Sequence, residues 1–109
     1  MKVTTVAILS AATATGAGST FEPNGNGEQT FQLTGSTSAG AGAAAVDVEV
    51  SNDGTNFVSI GRLSLILGTA ITQALMLSKA PWRYVRGNVI SISGTNAAVT
   101  LTMGNHPYA

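Results

Sequence analysis

Residues 46–63, Val-Asp-Val-Glu-Val-Ser-Asn-Asp-Gly-Thr-Asn-Phe-Val-Ser-Ile-Gly-Arg-Leu, constrain the fold more than any other stretch of the chain. Val46, Val48 and Val50 alternate with Asp47, Glu49 and Ser51. Successive side chains of an extended segment point to opposite faces, so this spacing makes one apolar and one charged face, the mark of a half-buried strand. Asn52-Asp53-Gly54 follows at once. Its side chains can hydrogen-bond their own backbone and its glycine is free to take positive φ, so the chain reverses there. Phe57, Val58 and Ile60 then resume an apolar run. The unit predicts a β-hairpin, and taken alone it implies a small all-β binding or structural domain.

A chain of 109 residues is expected to form one domain with a single core. The low charge and the excess of Gly, Ala, Ser and Thr would suit a disordered chain, but 44% apolar residues and regular β-branched runs predict a packed fold. Five Lys or Arg against five Asp or Glu leave no net charge, and none of it is clustered. Nucleic acid and anionic membranes both select clustered positive charge, so neither is an expected partner. A surface built from uncharged polar groups is poorly protected against association, which suits a subunit of a larger assembly. With no cysteine, disulfides, thiolate zinc sites and cysteine nucleophiles are excluded, and the redox compartment is left open. The N-terminus imitates a secretory signal, but the apolar patch Val6 to Leu9 is too short for one, so it reads as a retained first strand. No run approaches the roughly 18 apolar residues that a spanning helix needs.

In order along the chain, Lys2 to Ser10 reads as the first strand, with imperfect alternation. Residues 11–26 lose periodicity and predict a long, flexible loop or arm. Glu28 to Thr34 alternates again, and Gly35 to Gly42 looks like turn sequence before the central hairpin. From Leu63 to Leu77 apolar residues fall on both faces, which predicts either a central position or an outer face covered by a neighbouring subunit. Strand is the favoured reading of residues 69–78; a helix competes, because Ala70, Ala74 and Leu77 fall at helical spacing. Lys79-Ala80-Pro81 breaks the element. Trp82 to Ser93 is a long strand whose apolar parity changes near Gly87-Asn88, as a bulge would make it do. Gly94-Thr95-Asn96 is a tight turn into Ala98 to Met103, read as the partner strand of a second hairpin, and residues 104–109 are a tail. About seven strands without βαβ alternation predict an antiparallel β-sandwich of jelly-roll or immunoglobulin-like type.

Few residues are arranged for chemistry. Asp47 and Glu49 share a strand face, but no further oxygen ligands are spaced for calcium, so they read as a solvated face. Asn52 to Asn56 lacks the later acidic ligand of an EF-hand loop and reads as a turn. His106 is the only histidine and lies in the predicted tail, which argues against a triad or a histidine metal site. Gly16, Gly18, Gly25 and Gly27 have neither the lysine nor the helix of a phosphate cradle. Trp82, Arg83, Tyr84 and Arg86 would suit a sugar-binding patch, although a core Trp and Tyr with outward arginines is the favoured reading. No enzyme activity, metal or cofactor is implied.

Residues 48–61, Val-Glu-Val-Ser-Asn-Asp-Gly-Thr-Asn-Phe-Val-Ser-Ile-Gly, and 80–86, Ala-Pro-Trp-Arg-Tyr-Val-Arg, together resemble two settings. One is the discoidin-like group of carbohydrate-binding sandwiches. The other, which extends over roughly residues 43–104, is a group of short structural proteins of tailed-phage virions. The second resemblance implies a capsid decoration (cement) protein, bound to the major capsid protein or other virion proteins on the capsid surface, made in the host cytoplasm and trimeric; a head-fibre or tail component is the nearest alternative. It brings no catalytic residues. The expected partner contacts are Phe21, Glu22 and Pro23 in the arm, with Phe21 as an apolar anchor, Arg83 and Arg86 on the long strand, and His106 and Tyr108 in the tail. The rival of a different class is a carbohydrate-binding module or adhesin.

Overall fold

Alternating apolar residues separated by turn signals produce, among the described residues, eight strands in two four-stranded antiparallel sheets. The computed structural model describes residues 4–22, 28–78 and 82–106. The strands are β1 (Thr4–Ala12), β2 (Gly16–Ala17), β3 (Glu28–Ser36), β4 (Ala39–Ser51), β5 (Val58–Leu67), β6 (Thr72–Ser78), β7 (Tyr84–Thr95) and β8 (Ala98–His106).

One sheet has the order β1-β8-β3-β6 and the other β2-β7-β4-β5. Strand 1 pairs with 8, 2 with 7, 3 with 6 and 4 with 5. That is a long hairpin, closed at the β4–β5 turn and rolled up so that its successive pairs alternate between sheets. It is the order of a jelly roll, one of the two sandwich types expected. The rolling also corrects the second hairpin: β7 and β8 belong to different sheets, and the turn between them carries the chain across the sandwich. The turn itself forms as expected, with Gly94 at φ 121° and Asn96 at φ 50°, and Ala97 N–H donates to the Gly94 carbonyl at 3.3 Å.

Alternate residues of each strand meet between the sheets. Phe31, Leu33, Val99, Leu101 and Met103 come from one inner face, and Val46, Val48, Leu63, Leu65, Leu67, Val85 and Val89 from the other. The imperfect alternation of the first strand has a local cause. Register shifts on either side of Leu9 bury Ile8 and Leu9 together. The parity change in β7 lies slightly beyond its expected position: Ala45 pairs with Ser91 and Val46 with Val89, so Ile90 is the extra residue, while Gly87 still faces inward.

Residues 69–78 hold a strand, as favoured, over Thr72–Ser78, because Ala74 and Met76 must face the core while Gln73 and Leu75 face out. Several boundaries differ from expectation. The turn before β4 contracts to Thr37-Ser38, since the small residues on either side still pair along the sheets. The predicted tail begins as strand, with Gly104 and Asn105 paired to both β1 and β3. The break at 79–81 lies outside the described residues.

The predicted arm is docked as far as it is described. Gly16 and Ala17 pair with Val89 and Asn88, Gly18 N–H donates to the Gly87 carbonyl at 2.7 Å, and Phe21 and Val85 exchange two backbone hydrogen bonds of 2.8 Å each. Leu9 explains why glycines stand here. Its side chain fills the space where a Cβ on Gly18 or Gly87 would be.

Candidate partner-binding surface

The outer face of the β2-β7-β4-β5 sheet carries an ion-paired ladder. Asp47 on β4 stands opposite Arg62 on β5, and Glu49 stands opposite Arg86 on β7, so each pair is cross-strand and directly facing. Arg62 donates to both oxygens of Asp47, Nε at 2.7 Å and Nη2 at 3.3 Å. Arg86 Nε donates to Glu49 Oε1 at 2.7 Å, and Asn88 Nδ2 donates to the other oxygen at 3.0 Å. Hydrogen bonding to Asp47, then its charge, raises the Arg62 pKa above its ordinary value. The two carboxylates are therefore not the solvated face expected of them. Asp47 is only 8% exposed, and both are already occupied by partners.

At one end of this face lies the β4–β5 turn. Asp53 accepts hydrogen bonds from the Thr55 and Asn56 backbone N–H groups and from the Asn56 side chain, all within 2.9 Å, and from the Ser51 hydroxyl at 2.8 Å. The backbone donors at Asn56 and Thr55 hold its carboxyl well below the usual carboxylate range. The carboxylate thus organises the turn that the sequence predicted, with Gly54 at φ 77°. The turn lies over β7, with the Tyr84 ring 3.4 Å from where a Cβ on Gly54 would stand. The Arg86 guanidinium sits 4.0 Å from the Phe57 ring centroid, and Arg83 sits 5.1 Å from that of Tyr84.

Of the expected contact residues, Phe21, Glu22, Arg83 and Arg86 come together around Val85, because the docked segment runs beside β7. Their roles differ. Phe21 packs, partly buried, on the hydrophobic core of its own chain. Arg86 is committed to Glu49 and Phe57, while Glu22 and Arg83 are exposed. The backbone of His106 pairs with Glu28 at the far end of the other sheet. Pro23 and Tyr108 lie outside the described residues. Trp82 is partly buried against the core and donates Nε1–H to Ser78 Oγ at 3.2 Å, in keeping with the structural role expected of it. None of the described aromatic side chains is fully exposed.

β5 and β6 are the outermost strands of their sheets and pack against each other. Both carry exposed apolar side chains: Ile66 (81% exposed) and Val58 (67%) on β5, Leu75 (72%) on β6 and Ile71 (74%) just before it, with Ile66 and Leu75 facing out of different sheets. The two-faced apolar run was legible in the sequence. Its inner members Leu63, Leu65 and Leu67 are buried, and its outer members are uncovered. At the opposite end of β7 a cleft of about 390 Å³ is lined by Thr13, Ile92, Ser93, Gly94, Asn96 and Ala97, a site the sequence did not signal because its walls come from two segments far apart in the chain. Among the described residues no group of three or more His, Asp or Glu side chains converges as a metal would require.

No family model matches the chain, and no curated protein does. Among solved structures, the sandwich is similar to one described as "CBM4 structure and function", with a TM-score of 0.48 and 10% identity over 94% of this chain. The match covers 66% of that chain, so the present chain spans less than two thirds of its length. Among the described residues the chain is an eight-stranded antiparallel β-sandwich.

Proposed function

We propose that the chain is a structural subunit of a larger assembly, and specifically a virion component of the capsid-decoration kind implied by the resemblance of residues 48–61 and 80–86. The observation that carries this reading is the exposure of four large aliphatic side chains, Val58, Ile66, Ile71 and Leu75, on or beside the edge strands β5 and β6. Isolated chains rarely leave four large aliphatic side chains at or above two-thirds exposure beside unpaired strand edges, because such a surface invites association. The remaining groups support a binding rather than a catalytic role. Asp47 and Glu49 are satisfied by Arg62 and Arg86, which leaves Glu22 and Arg83 as the exposed charges of the β7 cluster.

The test is purification of the particle that the chain's own genome encodes, with the copy number of the chain measured in it. Stoichiometric copies at symmetric positions are expected. Their absence, together with saccharide binding by the isolated chain, would replace this reading. One feature favours that second reading: the cleft beside the β7–β8 turn offers Thr13, Ser93 and Asn96 as uncharged hydrogen-bonding groups next to Ile92 and Ala97, a lining suited to a small neutral polar ligand such as a sugar.

A further inference from the structure

Backbone irregularities gather around the cleft beside the β7–β8 turn. Among the described residues only two that are not glycine take positive φ, Ala11 at 49° and Asn96 at 50°. Asn96 lines the cleft, and Ala11 stands two residues before Thr13, which also lines it. Asparagine tolerates the left-handed region, whereas the Cβ of Ala11 carries a steric cost there. The pairing of β1 with β8 jumps from Leu9–Leu101 to Ala12–Val99, and within the jump the Ala11 N–H donates to Thr100 Oγ1 at 3.1 Å. On the other wall the pairing of β4 with β7 jumps from Ala39–Thr95 to Ala43–Ser93, which leaves Gly40 to Gly42 opposite Gly94. Bulged and strained backbone recurs where proteins shape binding sites.

The polar groups of the cleft are held ready for a ligand. The Ser38 hydroxyl donates to the Thr95 carbonyl at 3.3 Å, so its oxygen is left to accept from Asn96 Nδ2 at 3.1 Å. That contact fixes which way round the Asn96 amide stands. Its Oδ1 has no hydrogen-bond partner among the described residues, and neither has the Thr13 hydroxyl. Ser93 Oγ reaches the Ala43 carbonyl only at 3.5 Å. These three residues are exposed, while Ile92 is half-buried and Ala97 buried, so the mouth of the cleft is polar and its deeper part apolar. Residues 3–21 and 87–105, which hold the whole lining, contain no ionisable side chain.

We propose that this cleft binds a neutral sugar residue, with the C–H face of the ring on Ile92 and Ala97 and its hydroxyls bonded to Asn96 Oδ1, Thr13 Oγ1 and Ser93 Oγ. The proposal names the ligand contacts of the cleft that favours the second reading, and it stands or falls apart from the assembly reading. Three features select the ligand. A charged molecule would meet no counter-ion to replace its lost hydration. A flat aromatic one would find no ring to stack on, since the lining has none. A sugar matches the division of the cleft into an apolar floor and a mouth of groups that donate and accept. The volume of about 390 Å³ lies near the lower end of ligand sites, roughly 300–1,000 Å³, which suits a mono- or disaccharide.

The experiment titrates the full, isotopically labelled chain with glucose, galactose, mannose, N-acetylglucosamine, maltose, cellobiose and lactose, and reads the amide chemical shifts. At least one sugar should move the Thr13, Ser93, Asn96 and Ala97 amides to saturation. Its affinity should be the same from about pH 5 to 9 and at low and high salt, because no lining group titrates or carries charge. Asn96→Gly preserves the positive φ of the turn and Thr13→Ala alters an exposed position, so both variants should keep the native melting temperature. Each should weaken binding about fivefold or more, the loss expected for one hydrogen bond. The proposal is overturned if none of the sugars moves these amides, if the shifts centre on Trp82 and Tyr84 instead, or if both variants bind as the native chain does. Incorporation into particles is measured on purified particles, so either outcome here is distinguishable from success or failure of the assembly reading.

Discussion

Met76 occupies the space that Gly61 leaves empty. A Cβ built on Gly61 would stand 2.6 Å from Met76 Sδ, so the absent side chain on β5 lets β6 close over the core. The sign of a substitution here depends on what must move. A thioether at the end of a flexible side chain can swing aside. Gly61→Ala is therefore expected to change stability by no more than about 1 kcal/mol, since alanine's better strand propensity offsets the shift. Gly42→Ala is the contrast. Its Cβ would collide with the Ser93 carbonyl oxygen of β7, which is backbone and cannot turn away. A loss of about 2–3 kcal/mol is expected, read from urea unfolding of both variants. Equal losses would show that the β5–β6 contact is as rigid as the sheet centre.

Arg86 holds three elements together, β4 through Glu49, β7 through its own backbone, and the end of the β4–β5 turn through Phe57. Removing it leaves a largely buried carboxylate with Asn88 as its one remaining side-chain partner. Arg86→Ala should cost about 2 kcal/mol, while Arg83→Ala, at an exposed position, should leave the unfolding midpoint unchanged. Arg86→Lys should recover only part of the loss, because an ammonium keeps the charge but not the planar stacking on Phe57. Denaturant midpoints of the three variants check this ordering.

Asp53 should make the turn sensitive to acid. Its folded pKa lies below the unfolded value, so its contribution to stability is fully present above the ordinary carboxylate pKa near 3.8 and is lost as pH falls from there toward the depressed value. The native chain should thus lose stability progressively below about pH 4. Asp53→Asn should be less stable at neutral pH and show a shallower acid dependence, measured by thermal unfolding across that range. An identical slope in both proteins would show that other carboxylates govern the acid limb.

The sandwich was legible wherever apolar residues kept strict alternation over a whole strand, as in Phe31 to Leu33, Val46 to Val50 and Val99 to Met103. It was obscured where the residues were small. Gly16, Ala17 and the Gly-Ala run of β4 carry almost no hydrophobic signal, yet they pair because small side chains let neighbouring segments approach closely, as Leu9 does over Gly18 and Gly87. The assignment of β7 and β8 to one hairpin failed for a topological reason. A tight turn reports that the chain reverses, not whether it returns in the same sheet. The candidate surface was half visible: the two-faced run from Leu63 to Leu77 announced the exposed side chains of β5 and β6, but the pairing of Arg86 with Glu49 and Phe57 joins residues 37 and 29 positions apart, and no local pattern encodes it.

The docked segment before the undescribed stretch 23–27 depends on Phe21. Gly16 to Thr20 bring no large apolar group, so their pairing with β7 rests on backbone hydrogen bonds and on the Phe21 ring packed against the core. Backbone bonds at an edge open to water are individually weak, contributing about 1 kcal/mol or less each. Phe21→Ala should therefore cost about 1–2 kcal/mol globally, less than for a fully buried ring. Its local effect should be larger. The Gly18, Phe21 and Val85 amides, which donate across this junction, should exchange with solvent much faster, while the Val46 and Leu101 amides in the interior of the two sheets keep their protection. Hydrogen exchange of the variant, with limited proteolysis between residues 13 and 22, measures both. Selective loss at the junction would show a segment that can be released while the sandwich stays folded. Uniform loss across both sheets would make the segment part of the cooperative core, and it could then take no part in gripping a partner.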